Sequence, residues 1–294
     1  MSQGEVLFTV PSDPALLRQI LDVMKDAWSM PDYTEAVPVH MLKAILDNGG
    51  FLEAAVAEGR VVGFVLGFIG FDPEFGYYHY SHMLGVKKEF RGRNIALELK
   101  LRQRKWSVDR GYKVIIWTFD PHQGLNARFN FGKLGVISRR FYENYYGEIA
   151  DGINVGLPTD RFKVEWWVLS KRVVDRLQGR DSAPTYDEVK DLAFTALSTK
   201  KESGVRVASR VLKDFSKELV LLEFPGDINM LRQECMECAY RWKLLFRESI
   251  NSYLENKYIV VEHLSLVEEG ERRNFYLLFK GSLQSILEGE YPWR

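Results

Sequence analysis

The chain has 294 residues, 46% apolar and 27% charged, an ordinary globular balance that excludes disorder, collagen and coiled coil as descriptions of the whole. Its 40 basic residues match its 40 acidic ones, so the chain has no excess positive charge to neutralise nucleic-acid phosphates. A local basic patch is the only form that a nucleic-acid interaction could take.

The start, Met1 to Glu5, lacks the basic, then apolar, pattern of a secretory signal. Glu5 to Val10 alternates as a strand that Pro11 closes. Ser12 and Asp13 then offer an N-cap to a helix with Leu16, Leu17, Ile20, Leu21, Met24 and Ala27 at helical spacing. A second helix is predicted over Val39 to Leu46, ending at Asn48-Gly49-Gly50. Phe51 to Ala57 and Val61 to Phe71 read as two strands of a hairpin turned by Glu58-Gly59. The second of these, the longest apolar run, is too short and too rich in glycine to span a membrane. Tyr77 to Val86 is a further strand, Asn94 to Arg110 a helix, Val114 to Phe119 a buried strand and Asn126 to Leu134 a short helix. Strands over about Val136 to Tyr145 and Phe162 to Leu169 complete a first unit.

Polar, turn-rich stretches follow at Gly179 to Pro184 and Ser198 to Gly204. Beyond them come a strand (Glu218 to Phe224), a long helix (Ile228 to Leu254) and strands at Tyr258 to Leu266 and Asn274 to Phe279. The predicted organisation is residues 1–175 as the main domain, 176–217 as a connector and 218–294 as a smaller strand–helix–strand–strand unit. Such a layer needs a covering face, so residues 218–280 are expected to dock on the main domain or on a second copy of the chain. Cys235 and Cys238 form no framework and lack the further ligands of a zinc site. They read as buried thiols in a reducing compartment, most simply the cytoplasm, and no metal site is expected.

Leu84 to Ala96 carries the chemistry: a strand, a short connector, then Arg91-Gly92-Arg93-Asn94-Ile95-Ala96 opening a helix. Unpartnered first-turn N–H groups and the helix dipole favour an anion there. Gly92 permits close approach, Arg91 and Arg93 add donors, Asn94 tolerates a left-handed backbone and Ala96 leaves room. No Gly-Lys-Ser/Thr loop or acidic metal cluster accompanies it, which disfavours a nucleotide-phosphate enzyme.

This motif and the order of elements over about residues 5 to 169 resemble the GNAT superfamily of acyl-CoA-dependent N-acyltransferases. The superfamily's phosphate-loop pattern is Gln/Arg, two residues, Gly, one residue, Gly or Ala, and Asn94 stands in its Gly slot. The resemblance implies an α/β fold of the α+β type, with a mixed, mostly antiparallel central sheet flanked by helices. It implies acetyl-CoA as cofactor and an amine, of a small molecule or a peptide, as acceptor, without nucleic acid or membrane as partner. Backbone groups of Leu84 and Val86 would pair with the pantetheine arm, Arg91 to Ala96 would hold the pyrophosphate, and Asn126 would support the arm's far end. Two departures stand out: Phe131 occupies the slot of the usual acid tyrosine, and Tyr80 that of a frequent general-base carboxylate. A non-catalytic acyl-CoA-binding module is therefore the alternative reading.

Strand alternation puts Tyr78, Tyr80, His82 and Leu84 on one face, with His79 and Ser81 pointing away. Tyr80 and His82 are thus the catalytic candidates, His82 as proton acceptor or else as an ordering strand histidine. Arg102-Gln103-Arg104-Lys105 reads as a solvated helix face that could flank the cofactor's 3′-phosphate. Tyr142, Tyr145 and Tyr146 read as sheet packing, and Trp28, Asp32 and Tyr33 as acceptor-side residues by position alone.

Overall fold

In the computed structural model, which describes residues 5–147, 156–202 and 204–294, strand β1 (Val6–Thr9) pairs antiparallel with the second strand of the chain. The Met1–Gly4 start and Ser203 lie outside the described residues. Asp13 accepts from the Ala15 N–H at 2.8 Å and so caps α1 (Pro14–Trp28), whose Leu17, Ile20, Val23 and Met24 are buried. Then come α2 (Val39–Asp47), β2 (Phe51–Ala57) and β3 (Arg60–Asp72), the last two joined through Glu58 and Gly59, both at positive φ, as a tight hairpin requires. Next are β4 (Gly76–Val86), α3 (Ile95–Asp109) and β5 (Val114–Phe119), giving the order β1-β2-β3-β4-β5. β5 runs parallel to β4; the other neighbours in this set are antiparallel.

The described residues divide into two compact units within β5, one of residues 5–117 and one of residues 118–147 and 156–294. The first unit has apolar clusters on both faces of its sheet. Leu17, Ile20, Met24, Leu42, Phe64 and Leu66 form the one under α1 and α2, and Val62, Val65, Val86, Ile95 and Leu99 the one under α3.

The second unit contains α4 (Gly124–Ala127), which runs on as a π-helical segment (Arg128–Leu134), then β6 (Ile137–Tyr142), β7 (Arg161–Trp167), α5 (Lys171–Leu177) and α6 (Tyr186–Val189). β8 (Phe194–Thr195), β9 (Leu197–Glu202), β10 (Val205–Val211) and β11 (Leu219–Phe224) follow. The polar stretch around Ser198 to Gly204, with only turn signals in its sequence, is the hairpin β9–β10. The remaining elements are α7 (Ile228–Glu234), α8 (Met236–Glu255), β12 (Ile259–Glu268), β13 (Glu271–Phe279) and α9 (Leu283–Glu288). The sheet here runs β7-β6-β12-β13-β11-β8.

The long helix expected over Ile228 to Leu254 is two helices, because Cys235 adopts an extended backbone (φ −153°, ψ 91°) between them. Cys235 and Cys238 are joined in a disulfide and are half-buried, which corrects the expectation of buried free thiols. The chain is thus of the mixed α/β kind with mostly antiparallel strands. No helix among the described residues is long and apolar enough to cross a membrane, and among them no cluster of His, Cys, Asp and Glu could hold a metal ion.

Candidate active site

After β4 the chain makes a 3-10 turn (Lys88–Phe90) and reaches Arg91 to Asn94, all exposed. Gly92 has φ +80°, and a Cβ placed there would meet nothing within 4 Å, so the loop offers open space over its backbone. Asn94 is left-handed (φ 60°, ψ 9°) and its carbonyl accepts from Glu98 N–H at 3.0 Å. No side chain caps α3, so the N–H groups of Ile95, Ala96 and Leu97 precede the first intrahelical bond and face the loop's open side. Arg91 anchors the loop, its Nη2 donating to Ala27 O in the last turn of α1 at 3.1 Å, where the helix dipole favours a cation. The Arg93 guanidinium lies 4.8 Å from the centre of the Phe90 ring.

β4 is irregular at the point that matters. Met83 pairs with Leu66 and Ser81 with Gly67, leaving His82 as the extra residue of a bulge. The bulge shifts the alternation, which corrects the sequence-based faces. His82 and Tyr80 lie beside Phe68, at ring distances of 5.6 and 5.4 Å, and Met83 packs with the cluster under α1. Leu84, expected on that face, packs instead with Val86, Ile95 and Leu99 under α3. The His82 ring is open to solvent, yet surrounding protein displaces enough water that desolvation holds its pKa below the ordinary histidine value. His82 is therefore a neutral acceptor near pH 7. Phe68 also lines an open groove of about 430 Å³ with Met41, Ala44, Ile45, Ile69 and Tyr112.

The other face of β4 carries a buried polar chain that the sequence reading missed. Lys100 Nζ donates to Ser81 Oγ at 3.0 Å and to Gln103 Oε1 at 2.9 Å, and lies 3.6 Å from the centre of the Trp117 ring. With its oxygen facing Lys100, the Gln103 amide donates to His79 Nε2 at 2.9 Å, which places the histidine proton on Nδ1. Burial, then the charges of Lys100 and Arg110, hold the His79 pKa down at about 3, and burial pulls that of Lys100 well below its ordinary value. Gly67 makes room for this arrangement: a Cβ there would stand 2.3 Å from His79 Nε2. Gln103, read from sequence as solvated, is fully buried, whereas Arg102 pairs with Glu98 and Glu53 at 2.8 and 3.1 Å and Lys105 with Asp109. The missed signal was the spacing of Lys100, Gln103 and Ser107, a helical stripe of polar residues that all turn inward.

β4 and β5 pair at His79↔Ile115 and Tyr80↔Ile116, and β4 continues to Val86. Of the acceptor-side positions, Trp28 packs on Phe64 at 6.4 Å, the Tyr33 hydroxyl donates to Asp22 at 2.7 Å, and Asp32 is exposed, its carboxyl bonded to the Thr34 N–H.

In the second unit, Asn126 is exposed in α4, and Phe131 is fully buried among Phe119, Phe162 and Tyr276. Tyr142 stacks on Tyr145, but Tyr145 and Tyr146 are largely exposed, with the Tyr146 hydroxyl 3.2 Å from Thr118 Oγ1.

Residues 17–135 match the model of the Acetyltransferase (GNAT) family. Among solved structures, the chain is similar to the NatC complex bound to Gag peptide and CoA (16% identity, 55% of this chain and 97% of that one, TM-score 0.45). It is also similar to the Escherichia coli ribosomal-protein-S18-alanine N-acetyltransferase (10% identity, 56% and 94%, TM-score 0.45) and the Brucella melitensis ribosomal-protein-alanine N-acetyltransferase (20%, 54% and 98%, TM-score 0.45). No curated protein matches the chain. Residues 17–135 are thus the part of the chain that matches the GNAT acetyltransferase family.

Proposed function

We propose that the protein transfers an acetyl group from acetyl-CoA to an amine, with Arg91 to Ala96 as the pyrophosphate cradle. The observation that carries this reading is the exposed, left-handed turn at Gly92 and Asn94, which presents the free N–H groups of α3 beside the end of β4. These residues fit the cofactor: open space above Gly92 admits phosphate oxygens, and the backbone donors suit them without a metal ion. Backbone groups of Leu84 and Val86 would bond the pantetheine arm in the manner of an added strand. Acetyl-CoA supplies the activated acyl carbon and the thiolate leaving group.

His82 accepts the proton that the attacking amine loses, a role supported by its neutral state and its bulged position on β4. Tyr80 and Phe68 orient the imidazole through ring contacts, and the groove that shares Phe68 would hold the apolar body of the acceptor. The enzyme's contribution is chiefly positioning and backbone N–H donation to the developing oxyanion. Calorimetric titration with CoA and a free-thiol assay of acetyl-CoA with a panel of amines test the reading. Binding in the micromolar range and amine-dependent thiol release are expected, and failure to bind CoA overturns it. His82→Gln should leave CoA affinity intact and lower turnover by about 10²-fold or more. A loss below about fivefold reduces His82 to a structural histidine.

A further inference from the structure

The last register pair between β4 and β5 is Tyr80↔Ile116, and the next residue on each strand, Ser81 and Trp117, touches the same atom, Lys100 Nζ. That amine reaches them from α3, the helix whose first turn forms the phosphate loop, and is itself only 2% exposed. Resting on the cofactor reading above, we propose that Lys100 is a positioning residue that fixes β4 and β5 where they part, and so aligns the outer half of β4 for the pantetheine arm.

A buried ammonium or amine is a costly way to fill a core, since an apolar side chain of similar volume would avoid its desolvation. What Lys100 adds over such a side chain is direction. Its N–H groups hold Ser81 Oγ on one side and Gln103 Oε1 on the other, while the indole of Trp117 covers it. Gln103 is in turn fixed by His79, two residues before Ser81 on the same strand, so α3 grips β4 at two successive inward positions. The bulge at His82 follows immediately. A bulge bends its strand, so the path of Met83 to Val86 depends on how firmly the residue before it is held. Backbone donors and acceptors that are already aligned bind an extended arm without the entropy of ordering it. Lys100 thus acts on the arm of the cofactor and leaves the nucleotide end, which belongs to Arg91 to Ala96, untouched.

The test compares two ligands on the full-length chain by isothermal titration: CoA, and adenosine 3′-phosphate-5′-diphosphate, which keeps the nucleotide and pyrophosphate and lacks the arm. Lys100→Met keeps the length of the side chain and removes its donors. The expected result is a loss of tenfold or more in CoA affinity, with the affinity for the nucleotide half changed less than twofold. A merely structural role would lower both together or neither. Equal losses for the two ligands, or a differential loss below fivefold, overturn the proposal. Should Lys100→Met not fold, Ser81→Ala removes the β4 side of the contact and is judged by the same ratio. A wild-type chain that binds neither ligand overturns the cofactor reading itself, and the role of Lys100 falls with it.

Discussion

Both units bury basic side chains, and the contacts of those side chains differ in kind. In the second, Arg172 and Arg176 converge on the fully buried Glu262, with N–O distances of 3.0 and 2.6 Å, and Arg176 also pairs with Asp181 at 3.0 Å. Burial opposes the charge on Arg176, but Glu262 more than compensates and its pKa is raised. In the first, the contacts of Lys100 to Ser81, Gln103 and Trp117 are all with neutral groups, and its pKa falls. Charge paired with charge ties distant segments of one unit together, here α5 to β12. A buried amine that donates to a hydroxyl and an amide on neighbouring elements sets local direction on one strand. The comparison separates residues that hold architecture from the one proposed to align a binding surface.

Glu262→Gln should break the architecture. It takes the shared carboxylate from two buried guanidinium groups and leaves Arg176 with Asp181 alone, and breaking such a buried pair typically costs about 3–5 kcal/mol. A fall of that size in unfolding free energy, read from urea denaturation, is expected. A loss below about 1 kcal/mol would mean that the cluster contributes no more than an ordinary surface pair.

Gly92→Glu should do the reverse, abolishing binding while sparing the fold. A non-glycine residue at φ +80° strains the backbone by about 1–2 kcal/mol, and no atom stands within 4 Å of the new Cβ. The carboxylate, however, would enter the space proposed for phosphate. CoA affinity should drop at least about 100-fold, equivalent to about 2.7 kcal/mol. Unchanged affinity in a folded variant would remove the loop from the site.

Much of this was legible in the sequence, and the failures have physical causes. The turn Glu58-Gly59, the strand Val114–Phe119 and the loop Arg91 to Ala96 announce themselves through local chemistry, and the structure has the hairpin and the strand at those positions. The faces of β4 were misjudged because period-2 alternation assumes no bulge, and the single extra residue His82 reverses the parity of every later position. Lys100 and Gln103 were hidden because burial of a polar side chain depends on partners that tertiary structure alone brings near. The break at Cys235 was hidden too, since Met-Glu-Cys reads as good helix and only the disulfide marks the junction.

Acid should expose His79 in the first unit. His79 titrates at about 3 in the fold against about 6.5 when unfolded, so the native state binds fewer protons across that window. Its contribution to stability is complete above pH 6.5 and is lost progressively as pH falls toward 3. At pH 5 the expected loss is about 2 kcal/mol relative to pH 7. His79→Gln keeps an acceptor for Gln103 and removes the titration, so its stability should fall less steeply between pH 6.5 and 4. His263, held down to about 4 by burial in the second unit, contributes to the residual slope together with His82 and His122, whose pKa values burial also lowers. An unaltered acid limb in His79→Gln would show that the imidazole is not the group being charged.

The smallest effect is expected from reducing the Cys235–Cys238 bond, and it tests the separation of roles most directly. The disulfide joins residues only three apart, so it removes little freedom from the unfolded chain, and the loop-entropy relation allows it about 2 kcal/mol at most. Asp227 caps α7 through the N–H groups of Asn229 and Met230, and Trp242, Phe246, Ile250 and Tyr253 of α8 are buried, so both helices have anchors besides the sulfurs. Urea unfolding with and without dithiothreitol should therefore differ by no more than about 2 kcal/mol. CoA affinity should not change, because the phosphate loop, the bulge and Lys100 all belong to the first unit. A reduced protein that loses CoA binding while remaining folded would show that the second unit also shapes the cofactor site, and the division between holding and binding would have to be redrawn.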